Sequence, residues 1–337
     1  MRPWVCAMVC SCLLAGCAAT GSAPAARLQG TVIQFNPAHE LWTRSDWAKL
    51  VRSLRALGMT QIVVQWSVAD AAAYYRSRQF RSGPMPPLGP LLDLADEANM
   101  RVLVGLAHDN GFWTRIGGDA EQVERYLGDL RTRSLQAARE LAPLVAQHRS
   151  FEGWYLSEEI DDVNWRDPQR RAILGAHLKA VTTELRTLHP RARMAVSGFA
   201  NAGIDPASLE DFWRSVLGSA PELGIVLFQD GVGVGKLKLD ELPPVLGAIQ
   251  RAVNGRSREL RVIVEVFQQT AGPPIDQKPF AAQPAPLGRI RRQMDIARPF
   301  SSSLLAFTVT DYMNAGGSPP AASLFDQYRR SCVEADC

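Results

Sequence analysis

The chain has 337 residues, 46% of them hydrophobic, and a formal net charge of only +3 at pH 7. Because its arginine pairs at 170–171, 291–292 and 329–330 lie in segments of helical pattern and form no single basic patch, nothing favours a nucleic-acid partner. Beyond the amino-terminal segment, no stretch reaches the roughly 18 consecutive apolar residues of a membrane-spanning helix.

The amino terminus has the pattern of a lipoprotein signal peptide. Residues 1–16 carry one basic residue, Arg2, and an apolar run that ends in Leu-Ala-Gly before Cys17. The alternative is an ordinary signal peptide with an incidental cysteine. We predict cleavage before Cys17, lipidation of Cys17 and a linker that extends to residue 29. Because Ala18 follows and not aspartate, we expect an exported protein at the outer membrane, facing the periplasm, with the lipid as its only membrane anchor.

Signal-peptide cleavage would leave two cysteines besides the lipidated one, Cys332 and Cys337. An oxidising compartment favours one disulfide between them, and two thiols are the alternative. A disulfide here would serve stability, and no cysteine is left for catalysis.

Short apolar runs alternate with amphipathic helical patterns through the rest of the chain. In the clearest helical pattern, at 45–57, Ser45 can cap the start and Gly58 can end it. Further helical patterns span 119–148, 168–189, 206–217, 239–253, 287–297 and 323–330. Eight runs have the character of buried parallel strands, at 30–35, 61–66, 101–107, 153–156, 193–197, 224–228, 260–267 and 304–310. The count of eight and the lack of a mid-chain linker favour a single (β/α)8 TIM barrel over residues 30–337, against a two-domain doubly wound sheet.

Polar and aromatic side chains collect where the predicted strands end. In (β/α)8 barrels the catalytic groups stand at these carboxyl ends, and we find no comparable cluster at the amino ends. For a single residue the alternatives are a helix cap or barrel packing. The substrate-binding candidates are Gln34, Gln65, Trp66, His108, Asp109, Tyr155, Glu158, Asp161, Gln229, Asp230 and Tyr312.

Two carboxylates at these strand ends suggest catalysis. Glu265 lies inside an apolar run, where an unpaired charge would be costly, so either an arginine pairs with it inside the barrel or it faces a pocket. Because side chains alternate along a strand, one of Glu158 and Glu159 must face inward, where it would share the pocket with Glu265. Two carboxylates that flank one bond are what glycoside hydrolysis requires.

Other motifs carry no chemistry. The glycines at 231, 233 and 235 lack the spacing of a dinucleotide-binding fingerprint, and we predict a flexible loop there. His39-Glu40 lacks a second histidine at residue 43, and Ser197-Gly198 lacks the flanking glycines of a nucleophile elbow. We expect no metal and no cofactor.

The chain resembles the family of the domain of unknown function 4434, grouped as glycosidase barrels, over roughly residues 30–312. The segments that carry the resemblance are Gly-Thr-Val-Ile-Gln at 30–34, Trp47 with Leu-Gly-Met at 57–59, Ile-Val-Val-Gln-Trp at 62–66, Gly-Trp-Tyr at 153–155 before Glu-Ile-Asp at 159–161, Gln-Asp-Gly-Val-Gly at 229–233 and Glu-Val-Phe at 265–267. The resemblance implies a sugar-cleaving enzyme. In retaining glycosidase barrels the acid/base follows strand four and the nucleophile lies on strand seven, which match Glu159 and Glu265. The usual Asn-Glu pair is Glu158-Glu159 here, which leaves open both the choice between the two glutamates and retention against inversion.

The sequence therefore predicts a glycoside hydrolase whose substrate is a polysaccharide or an oligosaccharide. The alternative is a lipid-anchored barrel that has lost catalysis and binds a glycan during its export or assembly. Two inward carboxylates in one pocket would favour the enzyme.

Overall fold

A computed structural model describes residues 26–255, 258–301 and 303–334. Eight parallel strands close into one barrel in chain order, and the last strand pairs with the first. The strands are β1 (Leu28–Ile33), β2 (Gln61–Val64), β3 (Arg101–Gly105), β4 (Phe151–Asp161), β5 (Arg193–Phe199), β6 (Ile225–Gln229), β7 (Glu259–Glu265) and β8 (Ser303–Phe307). The predicted single (β/α)8 barrel is confirmed.

Helices between the strands form the outer layer. They are α1 (Arg44–Ala56), α2 (Leu88–Glu97), α3 (Ala120–Val145), α4 (Pro168–Leu188), α5 (Pro206–Ser219), α6 (Leu242–Asn254), α7 (Leu287–Ala297) and α8 (Pro319–Tyr328). The expected cap of α1 at Ser45 is wrong: Thr43 caps the helix and forms a reciprocal capping box with Asp46. Gly58 follows α1 with a positive φ of 79°, as its predicted role as a helix stop requires. The sequence patterns missed α2.

Short elements lie in the loops after the strands. After β7 an antiparallel hairpin pairs Phe267–Ala271 with Ala281–Pro284. Four two-residue strands after β2 and β3 form a small sheet, and Phe112–Arg115 and Val309–Tyr312 are single helical turns. Among the residues that the structure describes, no helix has the length and apolar character to cross a membrane.

A layer of buried side chains fills the middle of the barrel: Val32, Val63, Leu103, Tyr155, Ala195, Ile225, Leu227, Ile263 and Leu305. A much larger cluster packs between the strands and the helices. Because side chains on a strand alternate between its two faces, a residue two positions beyond the inner layer also points inward, but nearer the carboxyl end. This register determines which side chains reach the open end of the barrel.

At the amino-terminal end of the barrel an ion cluster, which we call the closed-end cluster, surrounds the buried Arg261. Arg261 is 1% exposed, and its Nε donates to Glu259 Oε1 at 2.7 Å while its Nη1 donates to Glu152 Oε2 at 3.1 Å. Arg193 Nη1 donates to Glu259 Oε2 at 2.6 Å. Burial alone would raise the pKa of Glu259, but the hydrogen bonds and charges of Arg261 and Arg193 together lower it. The expectation that the amino ends carry no cluster comparable to the polar one at the carboxyl ends is therefore wrong.

The predictions for the two termini remain predictions. Cys17 and the signal peptide lie outside the described residues, as does Cys337. Cys332 is buried in the last described turn, Arg329–Glu334.

Candidate active site

A cleft of about 440 Å³ opens at the carboxyl ends of the strands. Several lining residues follow an inner-layer residue by two positions, as Gln34 follows Val32 and Gln229 follows Leu227. Strand alternation thus carries their side chains to the base of the cleft. The predicted site residues that line the cleft are Gln34, Gln65, Trp66, His108, Glu159, Gln229 and Glu265.

Glu159 is the inward glutamate of β4. Its Oε1 accepts hydrogen bonds from Gln229 Nε2 at 2.8 Å and from Gln65 Nε2 at 3.2 Å. Burial raises the pKa of Glu159, and the Gln229 hydrogen bond and the positive charge of Lys236 offset part of that rise. Two carboxamides from across the barrel, one at the end of β6 and one just after β2, therefore hold this carboxyl group within the cleft.

Glu158 points the other way, towards α4. Its Oε1 lies 2.6 Å from His177 Nε2, and each side chain is 2% exposed. The register of β4 against β5 is irregular between Leu156 and Glu159, yet the side chains still alternate through this bulge. The structure thus places Glu158 outside the cleft, contrary to its selection as a substrate-binding residue.

Glu265 ends β7 at the base of the cleft and is 4% exposed. Its Oε2 accepts a hydrogen bond from the backbone N–H of Val234 at 2.9 Å. Within the described residues, no arginine forms an ion pair with the Glu265 carboxylate. The alternative prediction, an arginine inside the barrel paired with Glu265, is therefore wrong. The arginine inside the barrel, Arg261, pairs with the closed-end glutamates.

A second carboxylate, Asp230, lies directly beside Glu265. Asp230 Oδ1 accepts from the backbone N–H of Glu265 at 3.3 Å, and Asp230 Oδ2 accepts from Gln293 Nε2 at 2.5 Å. Burial raises the pKa of both groups, and the charge of Asp230 raises that of Glu265 further. Repulsion between the two carboxylates, added to burial, therefore favours the protonated form of Glu265.

The loop at 231–236 folds over Glu265. A β-carbon on Gly233 would lie 2.5 Å from the carbonyl oxygen of Phe267 and 2.8 Å from Glu265 Cβ, so only glycine fits there. The carbonyl of Gly233 accepts from the backbone N–H of Gln269 at 2.8 Å. We expected a flexible loop, but these close contacts fix it and bring the N–H of Val234 to the carboxylate.

Aromatic rings line the sides of the cleft. Trp66 stacks on His108 with centroids 4.4 Å apart, and its Nε1 donates to the carbonyl of Phe35 at 2.8 Å. Trp113 is 42% exposed and therefore does not serve as barrel packing. Its ring centroid lies 5.7 Å from that of Phe199. Exposed or half-exposed rings of this kind offer apolar faces to sugar rings.

Several predicted site residues serve the architecture around the cleft and do not line it. Tyr155 lies in the inner layer, where its hydroxyl is 2.6 Å from Ser197 Oγ. Asp161 accepts from the N–H groups of Val163 and Asn164, and Tyr312 stacks on Phe267. The predicted residues that do not line the cleft are Asp109, Tyr155, Glu158, Asp161, Asp230 and Tyr312.

Sequence reasoning missed other residues of the cleft. Ser157 and Phe199 lie on the inward face of their strands, so alternation from Tyr155 and Ala195 could have identified them. Lys236 and Phe280 come from loops, where no periodic signal exists.

Comparisons with known proteins agree with this architecture. The model of the family described as domain of unknown function (DUF4434) matches residues 28–323. The uncharacterized protein YbcH of Escherichia coli (strain K12) is 28% identical over 248 residues, 72% of this chain and 76% of that protein.

Solved structures share the fold at low sequence identity. A putative alpha-L-fucosidase from Bacteroides thetaiotaomicron superposes with a TM-score of 0.74 at 17% identity, over 91% of this chain and 95% of that one. A GH18 chitinase from Pseudoalteromonas aurantia superposes with a TM-score of 0.53 at 11% identity, over 91% of this chain and 100% of that one.

Proposed function

Because the chain belongs to the DUF4434 family and carries two glutamates in one cleft of a (β/α)8 barrel, we propose that it is a glycoside hydrolase. Its substrate is a polysaccharide or an oligosaccharide. The observation that carries the proposal is that Glu159, on β4, and Glu265, at the end of β7, line the same cleft at the carboxyl ends of the strands. Structural neighbours described as a fucosidase and a chitinase support this class of reaction.

In the proposed mechanism Glu159 is the general acid and base. Burial raises its pKa, which favours the protonated form that a leaving glycosidic oxygen needs. Glu159 donates its proton to that oxygen as the bond to the anomeric carbon breaks. It then removes a proton from the water that releases the sugar.

Glu265 is the nucleophile in the retaining form of this mechanism. Its carboxylate attacks the anomeric carbon, and water later cleaves the resulting glycosyl ester. Attack requires the ionised form, which the N–H of Val234 supports. Burial and the charge of Asp230 raise the pKa of Glu265, so Glu265 must lose its proton before it attacks, and Asp230 is a positioning residue that influences this loss. In an inverting enzyme, Glu265 would instead activate the water.

Digestion of a glycan panel, with products read by mass spectrometry, tests the proposal. We expect the wild-type protein to cleave at least one glycan. Glu159→Gln should lower the rate about 10²–10⁴-fold, and Glu265→Gln should lower it at least as much. Glu158→Gln is the matched control, because this neighbour of Glu159 faces His177 and should retain activity. Azide should restore turnover to Glu265→Ala if the enzyme is retaining.

Three outcomes would count against parts of the proposal. If Glu158→Gln abolishes cleavage and Glu159→Gln does not, the choice of acid is wrong. If none of these variants affects cleavage, the paired-carboxylate mechanism is wrong. If glycans bind but none is cleaved, the protein is the catalytically inactive glycan-binding barrel.

The anchor at the membrane is a second part of the proposal. We propose that Cys17 is lipidated and tethers the barrel at the outer membrane, facing the periplasm, on the sequence pattern that ends at Cys17. Cys17→Ser should abolish incorporation of a labelled fatty acid. Undiminished label in that variant would contradict the proposal.

A further inference from the structure

A positively charged side chain lies in the cleft, and the proposed hydrolysis does not use it. Lys236 is the one lysine or arginine among the described residues that line the cleft. Its Nζ lies 3.2 Å from the ring centroid of Phe199. Within residues 26–255, 258–301 and 303–334, no hydrogen bond or ion pair involves this ammonium. Its three N–H donors are thus available to a ligand.

The backbone holds Lys236 in this position. The carbonyl of Gly231 accepts from the N–H groups of Lys236, at 2.9 Å, and of Leu237, at 3.3 Å. Leu237 is 3% exposed and anchors the end of the loop in the core. A group held in place before the ligand arrives loses little freedom when the ligand binds.

Acidic side chains surround Lys236, but none of them pairs with it directly. Burial lowers the pKa of Lys236, while the charges of Asp161 and Glu159 oppose that change. No carboxylate oxygen of the described residues lies within 4.0 Å of Nζ. Partial burial of an ammonium group without an anionic partner costs free energy, and an anion bound beside it would offset that cost.

We propose, on the basis of the hydrolase function above, that the substrate is an acidic saccharide and that Lys236 binds the carboxylate of one of its uronic acid units. A carboxylate that enters a cleft with two glutamates is repelled unless a cation faces it, and Lys236 supplies that cation. The exposed Trp113, whose ring lies 5.7 Å from that of Phe199 beneath the ammonium, offers an apolar surface to the same sugar ring. Lys236 is thus a specificity-determining residue.

Calorimetric titration can test this inference separately from catalysis. The probes are oligosaccharides of galacturonate, mannuronate, guluronate and glucuronate, each paired with its carboxyl-reduced, neutral counterpart. The measurements use Glu265→Gln, which binds substrate without turning it over. We expect at least one acidic oligosaccharide to bind about 10-fold or more tightly than its neutral counterpart, as a charge-assisted hydrogen bond provides.

Two lysine variants, each combined with Glu265→Gln, show whether Lys236 is responsible for the preference for acidic oligosaccharides. Lys236→Met should remove the preference for the acidic oligosaccharide, and a thermal melt checks that it folds. Lys238→Met removes the same charge two residues further along the chain, at a side chain that is exposed and outside the cleft. This variant should retain the preference for the acidic oligosaccharide. Equal binding of acidic and neutral probes, binding of no acidic probe, or a preference that survives Lys236→Met would overturn the inference. The hydrolase proposal would stand in each case, because the digestion panel tests it on bond cleavage.

Discussion

The two ends of the barrel hold glutamates under opposite electrostatic conditions. At the closed end, Glu152 and Glu259 each pair with Arg261, and the pKa of Glu259 is lowered. At the open end, the carboxylates of Glu159 and Glu265 accept hydrogen bonds from neutral amides, form no ion pair within the described residues, and have raised pKa values. Removal of one partner from a buried ion pair is strongly destabilising. Carboxyl groups buried without an ion pair cost stability and are suited to proton transfer and nucleophilic attack.

Removal of the closed-end cation gives the largest expected loss of stability. Arg261→Met removes the most buried partner of Glu152 and Glu259, while Arg193 still contacts both. We expect the free energy of unfolding to fall by about 3 kcal/mol, the lower end of the range for a broken buried ion pair. Urea denaturation measures this change. Arg44→Met is the control, because its ion pair with Glu97 is exposed and should contribute less than about 1 kcal/mol. A loss for Arg261→Met no larger than that of the control would mean that the closed-end cluster does not stabilise the barrel.

The loop over Glu265 allows a matched pair of substitutions at the open end. Gly233→Ala has no room for its methyl group and should displace Glu265, lowering kcat about 10²-fold. Gly235→Ala adds a methyl group where no atom lies within 4 Å, at a φ of 72°. It should cost about 1 kcal/mol of stability and leave kcat unchanged. Equal kcat values for the two variants would show that the loop does not position the carboxylate.

The contributions of the two ends to the free energy of unfolding should also change with pH in opposite directions. At the open end, the raised pKa of Glu265 means that the folded state keeps a proton which the unfolded chain loses above about pH 4.3. The free energy of unfolding therefore falls as the pH rises towards neutrality. At the closed end, the lowered pKa of Glu259 gives a contribution that is present above its ordinary pKa and is lost as the pH falls.

Urea denaturation across pH 3–8 separates these two contributions. In Glu265→Gln, the free energy of unfolding should decline less as the pH rises towards neutrality. In Glu259→Gln, the free energy of unfolding should depend less on pH in the acid range. If Glu265→Gln leaves the slope of the free energy of unfolding against pH unchanged near neutrality, the carboxyl group of Glu265 does not retain a proton in the folded wild-type protein.

The sequence predicted the barrel and the base of the cleft because both depend on strand periodicity. The apolar runs identified eight strands, and the cost of a charge inside one of them identified Glu265. Alternation placed one glutamate of the 158–159 pair inside. Aromatic and polar residues at strand ends were less well predicted. Tyr155 is one layer too deep, and Asp161 is used by the local loop, because sequence position at a strand end does not specify depth or loop geometry.

Long-range partners left no sequence signal either. Glu152 and Arg261 are 109 residues apart and meet only when the barrel closes, so the closed-end cluster was not recognised. Asp230 was selected as a substrate-binding residue, but it lies beside Glu265 because β6 and β7 are neighbours. Lys236 enters the cleft through a glycine-containing loop whose course depends on its contacts with Glu265 and Gln269.

The most direct test of the account compares the same substitution at the two ends of the barrel. Turnover of a glycan identified in the panel and the free energy of unfolding are measured together for Glu265→Gln and Glu152→Gln. Glu265→Gln should lose turnover by more than about 10³-fold and keep or gain stability, because a buried carboxyl group without an ion pair becomes a neutral amide. Glu152→Gln should lose about 1–3 kcal/mol of stability and turn over substrate within about twofold of wild type. The account is contradicted if Glu265→Gln retains turnover, or if the two variants lose turnover and stability alike.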